Sequence, residues 1–68
     1  MRLIHEKTGQ PLNIGDPVVT FRGERGVLTG SAEPRHSGST GRVCLRLGDA
    51  DGSAEFFPSV IDAKWVAE

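Results

Sequence analysis

Nine glycines and four prolines punctuate these 68 residues closely enough to limit the length of any regular element. No stretch of about ten residues or more carries a 3.6-residue apolar period, so the pattern predicts short strands and excludes long helices. The clearest strand is Arg42 to Leu47, in which Val43, Leu45 and Leu47 alternate with Arg42, Cys44 and Arg46. A period of two places one set of side chains in the core and the other toward solvent.

The turn formers Gly48-Asp49-Ala50-Asp51-Gly52 follow, and Ser53 to Phe57 reads as the returning strand of a hairpin. Pro58 cannot donate a ladder hydrogen bond, so Ser59 to Asp62 is expected as a single 3₁₀ turn before a last strand at Lys64-Trp65-Val66. Upstream, Val18 to Arg22 and Gly26 to Thr29 form a second hairpin around Gly23-Glu24-Arg25, and Leu12 to Asp16 leads into it. Arg2 to His5 reads as a further strand, turned back at Thr8-Gly9-Gln10-Pro11. The fold class is therefore all-β, with about five short strands and a 3₁₀ turn before the last. Closing such strands into a small barrel removes exposed edges, which makes it the economical shape for so short a chain.

Sixty-eight residues provide for one domain, residues 1–68, with a modest core. A chain of this size buries only about 60% of the surface it exposes when unfolded, so association with a partner or a second copy would add stability. The apolar fraction of 37% and charged fraction of 25% belong to an ordinary globular chain rather than a disordered one. No run approaches the ~20 apolar residues of a membrane helix, and Arg2, His5, Glu6 and Lys7 charge the start too early for a signal peptide. The expected location is cytoplasmic, without membrane association. The single Cys44 fits a reducing compartment and gives no disulfide or zinc spacing.

The net charge of −1 lacks the electrostatic signature of a general nucleic-acid binder, so nucleic acid is not the favoured partner. Its distribution is uneven. Residues 22–46 hold Arg22, Arg25, Arg35, Arg42 and Arg46 against Glu24 and Glu33, whereas residues 47–68 hold Lys64 against Asp49, Asp51, Glu55, Asp62 and Glu68. Every cation of the central block is arginine, the side chain suited to bidentate contact with carboxylate or phosphate.

Residues 30–41 are polar, glycine-rich and aperiodic, a loop of a length that in small domains is more often functional or disordered than incidental. Within it Arg35 and Arg42 supply fixed charge, Ser37, Ser39 and Thr40 supply hydroxyls, and Gly38 and Gly41 free the backbone to converge on an anion. His36 adds a side chain whose type changes charge between pH 5 and 8. These residues, with Arg25, form the candidate partner- or anion-binding set. The loop lacks the Lys-Ser/Thr ending of a nucleotide-binding P-loop. Asp49-Ala50-Asp51-Gly52 is turn chemistry rather than a calcium loop, whose twelfth position would need a glutamate where Val60 stands. Neither His5 nor His36 has a second ligand at metal spacing, and Cys44 has no histidine near it in sequence. No acid/base pair, nucleophile or metal cluster assembles, so no enzymatic activity and no cofactor are expected. Of Phe21, Phe56, Phe57 and Trp65, at least three are expected in the core.

Two segments carry a resemblance. Ile14-Gly15-Asp16-Pro17-Val18, followed by Gly23 and Gly26, resembles the Gly-Asp-x-Val opening of KOW and related barrels. Gly52 to Ile61, with Phe57-Pro58-Ser59, resembles the end of signalling SH3 domains, where a strand passes into a 3₁₀ turn. Together they imply a small SH3-like barrel. Over most of its length, including Phe21-Arg22-Gly23-Glu24, Pro34-Arg35-His36 and Gly38 to Val43, the chain is similar to small proteins of bacteriophages and prophages. That likeness implies a phage-encoded accessory or inhibitor protein, a non-catalytic module meeting a host or phage protein through its Arg/Gly/Ser-rich loop. The alternative use of the same loop is binding of nucleic acid or a phosphorylated small molecule.

Overall fold

A computed structural model describes residues 1–67. Among them the chain forms six strands and one 3₁₀ turn: β1 (Arg2–His5), β2 (Pro17–Val19), β3 (Arg25–Ala32), β4 (Arg42–Leu47), β5 (Ala54–Phe56), the turn Pro58–Ile61, and β6 (Ala63–Val66). All pairings are antiparallel, β2-β3-β4-β5 in one sheet and β1-β6 in the other. No helix is long and apolar enough to cross a membrane.

The alternation in β4 works as its spacing requires. Val43 and Leu45 are fully buried, and Leu28 of β3 pairs opposite Leu45. Leu3, Val18, Ile61 and Ala63 complete the buried cluster, with Leu12, Leu47, Phe56, Val60 and Trp65 packed against it half-buried. The core thus draws on both sheets and the 3₁₀ turn. Burial of one such aliphatic side chain stabilises the fold by about 1.5–3 kcal/mol.

The strands do not close into a single hydrogen-bonded barrel. No ladder joins the two sheets among the described residues, and there are six strands rather than five. The chain between β1 and β2 runs beside β1, yet among the described residues it forms a single bridge there, between Ile4 and Pro11. Proline has no N–H to extend such a ladder.

The long loop is also shorter than its composition implies. β3 passes a bulge between Leu28 and Gly30, then continues through Ser31 and Ala32 paired to Val43 and Arg42, so the loop spans residues 33–41. A bulge inserts one unpaired residue and offsets the side-chain alternation, which conceals the strand's second half in the sequence.

Two of the four aromatic residues lie outside the core, against the expectation of at least three within it. Phe21 is 70% and Phe57 56% exposed, while Phe56 and Trp65 are half-buried. Phe56 takes the inward place opposite Val43, and Pro58 is buried at the start of the 3₁₀ turn, so Phe57 between them faces out. Phe21 sits in the tight turn after β2. Its backbone N–H donates to the Val60 carbonyl at 2.9 Å, while its ring projects into solvent.

Candidate functional site

Loop 33–41 leaves the end of β3 and returns to β4, and one side of it faces the 3₁₀ turn and β6 across a cleft of about 750 Å³. The loop contributes Pro34, Arg35, His36, Ser37, Ser39 and Thr40. Opposite them stand Phe57, Pro58 and Ser59, with Ala63, Lys64 and Trp65 of β6, and Met1 completes the lining. The structure therefore gathers five of the seven residues singled out by sequence into one hollow. The volume lies within the roughly 300–1,000 Å³ of ordinary ligand pockets.

The cleft combines an apolar floor with a cationic rim. Trp65, Phe57, Pro58, Ala63 and Pro34 supply carbon surface, while Arg35 and Lys64 supply charge, and no carboxylate among the described residues lines it. Glu33, at the start of the loop, pairs with the ammonium of the lining residue Met1 at 3.4 Å. A smaller hollow of about 290 Å³, which shares Arg35, His36 and Ser39 with the cleft, is lined by Glu33 and Glu55 together with Arg42.

Arg42 belongs to the walls of the site rather than to its free cations. Its Nη1 donates to the Gly41 carbonyl at 2.8 Å, its Nε lies 3.8 Å from Glu55, and its guanidinium sits 4.2 Å from the centre of the Phe57 ring. These contacts hold an exposed phenylalanine at the cleft's border; a cation over an aromatic face contributes about 0.5–1 kcal/mol at an exposed site. Arg35 has no hydrogen bond or ion pair within the described residues and remains open to a ligand. Arg25 lies at the opposite end of β3, paired to Val19, and reaches neither hollow.

The loop spends part of its backbone on itself. The Ser39 N–H donates to the His36 carbonyl at 3.0 Å, and the Gly41 N–H donates to Ser39 Oγ at 3.1 Å. Two N–H groups that an anion cradle would use are thereby occupied. Gly41 also sets how closely the loop meets β6. It has φ +76°, and a Cβ there would lie 2.6 Å from both Trp65 Nε1 and the Ala32 carbonyl oxygen. The indole is thus seated against bare backbone, its N–H buried without a hydrogen-bond partner among the described residues.

Sequence reasoning missed the second wall of the site. Phe57, Pro58 and Lys64 read in sequence as parts of strand and turn, and only their packing against a loop distant in sequence makes them line the cleft. Comparison with protein-family models, with curated proteins and with solved structures finds no match for this chain.

Proposed function

We propose that the protein is a non-catalytic binding module of SH3-like architecture that holds a segment of another protein in the cleft between loop 33–41 and the 3₁₀ turn. The architecture is supported by the passage from β5 through Pro58–Ile61 into a last strand that returns to the first. One observation carries the binding reading: an apolar floor of Trp65, Phe57 and Pro58 under a rim of Arg35 and Lys64, with no carboxylate among the described lining residues. A floor of this kind takes apolar side chains by area burial, and the rim selects the partner by charge. The likeness to phage and prophage proteins makes a host protein the first partner to seek.

Affinity purification of the tagged chain from host lysate, followed by titration of the captured protein once purified, tests the proposal. Phe57→Ala and Arg35→Ala are each expected to weaken that complex about tenfold, the scale of a truncated interface anchor. Equal affinity of both variants and the parent chain rejects the cleft as the binding site. Anisotropy of labelled oligonucleotides at low salt checks the alternative, since nucleic-acid binding through Arg35 would be strongly salt-dependent.

A further inference from the structure

One border of the cleft is a strand edge. Ala63, Lys64 and Trp65 follow one another in β6, and all three line the hollow. Successive strand residues point to opposite faces, so a hollow that touches three in a row runs along the edge of the strand rather than over one face. β6 has that edge open, because its one ladder partner among the described residues is β1. The far side of β1 is already used: the His5 N–H donates to the Gln10 carbonyl at 2.8 Å, and the Leu12 N–H donates to the Leu3 carbonyl at 2.9 Å.

An unpaired edge offers N–H and C=O groups to any extended chain that reaches it. Four residues give roughly 13 Å of edge, with alternate residues turning their backbone groups outward. Lysine on an edge strand deters indiscriminate pairing, and here Lys64 stands on the edge with Arg35 across the cleft. A neutral or basic strand would have to displace water from these cations without compensation. A strand carrying carboxylates brings the opposite charge with it.

Building on the binding-module reading, we infer that the occupant of the cleft is an extended, carboxylate-bearing peptide segment that adds to β6 as a new strand. Its backbone pairs with the open edge, an apolar side chain rests on Trp65, Pro58 and Phe57, and its carboxylate meets Arg35 and Lys64.

The test is selection of displayed random peptides on the purified chain, mapping of the selected peptides by amide chemical shifts, and N-methylation of a selected peptide one residue at a time. Selected sequences should be enriched in Asp or Glu. Alternate N-methylations should each weaken binding about tenfold, the loss of one backbone hydrogen bond, while those between have little effect. The double reversal Arg35→Glu, Lys64→Glu should weaken an acidic peptide at least tenfold, with thermal unfolding of the variant confirming that it folds. Peptides that map to the cleft but are neutral or basic, or whose N-methyl scan shows no alternation, overturn strand addition by an acidic segment and leave the binding site standing. Peptides that map elsewhere, or that bind Phe57→Ala as tightly as the parent chain, overturn the site itself.

Discussion

The two ends of the four-stranded sheet are built from similar parts and behave differently. Each has a positive-φ glycine, an exposed phenylalanine and an arginine near its ring. At the hairpin end these are Gly23, Phe21 and Arg22, and the Arg22 guanidinium is 5.6 Å from the ring centre. At the cleft end they are Gly41, Phe57 and Arg42, with the closer separation of 4.2 Å. The arginine beside Phe21 is its neighbour in sequence, whereas the arginine over Phe57 comes from β4 and is itself held by Gly41 and Glu55. A contact between elements fixes a ring relative to the fold. A contact between adjacent residues persists in any conformation of the turn and fixes little.

The sharpest way to break the comparison is at the glycines. Gly23 has φ +84° with nothing within 4 Å of an added Cβ, so Gly23→Ala carries the left-handed backbone cost alone, about 1 kcal/mol. Gly41→Ala adds overlap with the Ala32 carbonyl and the Trp65 indole, for a total of about 3 kcal/mol. Denaturant unfolding of the two variants should differ accordingly, and equal losses would mean that the indole does not rest on Gly41.

The phenylalanines extend the contrast to binding. Phe57→Ala should cost about tenfold in affinity for the captured partner, and Phe21→Ala should leave it unchanged. A loss of affinity in Phe21→Ala, measured by titration calorimetry, would move the interface toward the hairpin end.

Why sequence revealed one end more readily follows from the range of the interactions involved. Alternation along Arg42 to Leu47 is a local property, and Val43 and Leu45 are buried as it implies. The 3₁₀ turn follows from Pro58, one residue away from its expected start. Gly30-Ser31-Ala32 has no apolar alternation, and its place in β3 depends on pairing with β4 across a bulge. The same holds for the cleft. Arg35, His36, Ser37, Ser39 and Thr40 stand out as polar groups in a glycine-rich run, but Trp65 and Phe57 join them only through tertiary packing. Thr20 is a further case. It is buried, and its Oγ1 accepts the N–H groups of Arg22 and Glu24 at 3.3 and 3.2 Å, closing the turn just past the end of β2 where the residue pattern predicts a continuing strand.

The arginines beside the two rings give the next smaller effect. Arg42→Ala removes the cover of Phe57 together with the Gly41 and Glu55 contacts, and should destabilise the fold by about 1 kcal/mol. Arg22→Ala should fall within about 0.5 kcal/mol of the parent chain. For a domain of this size, 1 kcal/mol corresponds to roughly 4–8 °C in Tm, so thermal scans resolve the difference.

The smallest effect is expected at Arg25, and it decides whether the cleft acts through contact or through the charge of the arginine-rich segment as a whole. Arg25 begins β3 and Ala32 ends it, a separation of roughly 20 Å at the ordinary rise of a strand. The Debye length at physiological ionic strength is about 8 Å, so the Arg25 charge is largely screened before it reaches a ligand beside Arg35. Arg25→Ala should therefore leave partner affinity unchanged at physiological salt, while Arg35→Ala lowers it about tenfold. At low ionic strength the screening length grows, and a modest slowing of association by Arg25→Ala should emerge in stopped-flow traces with the dissociation rate untouched. Equal losses from both substitutions at physiological salt would mean that the partner responds to the net charge of residues 22–46 and that the cleft's own geometry is not what selects it.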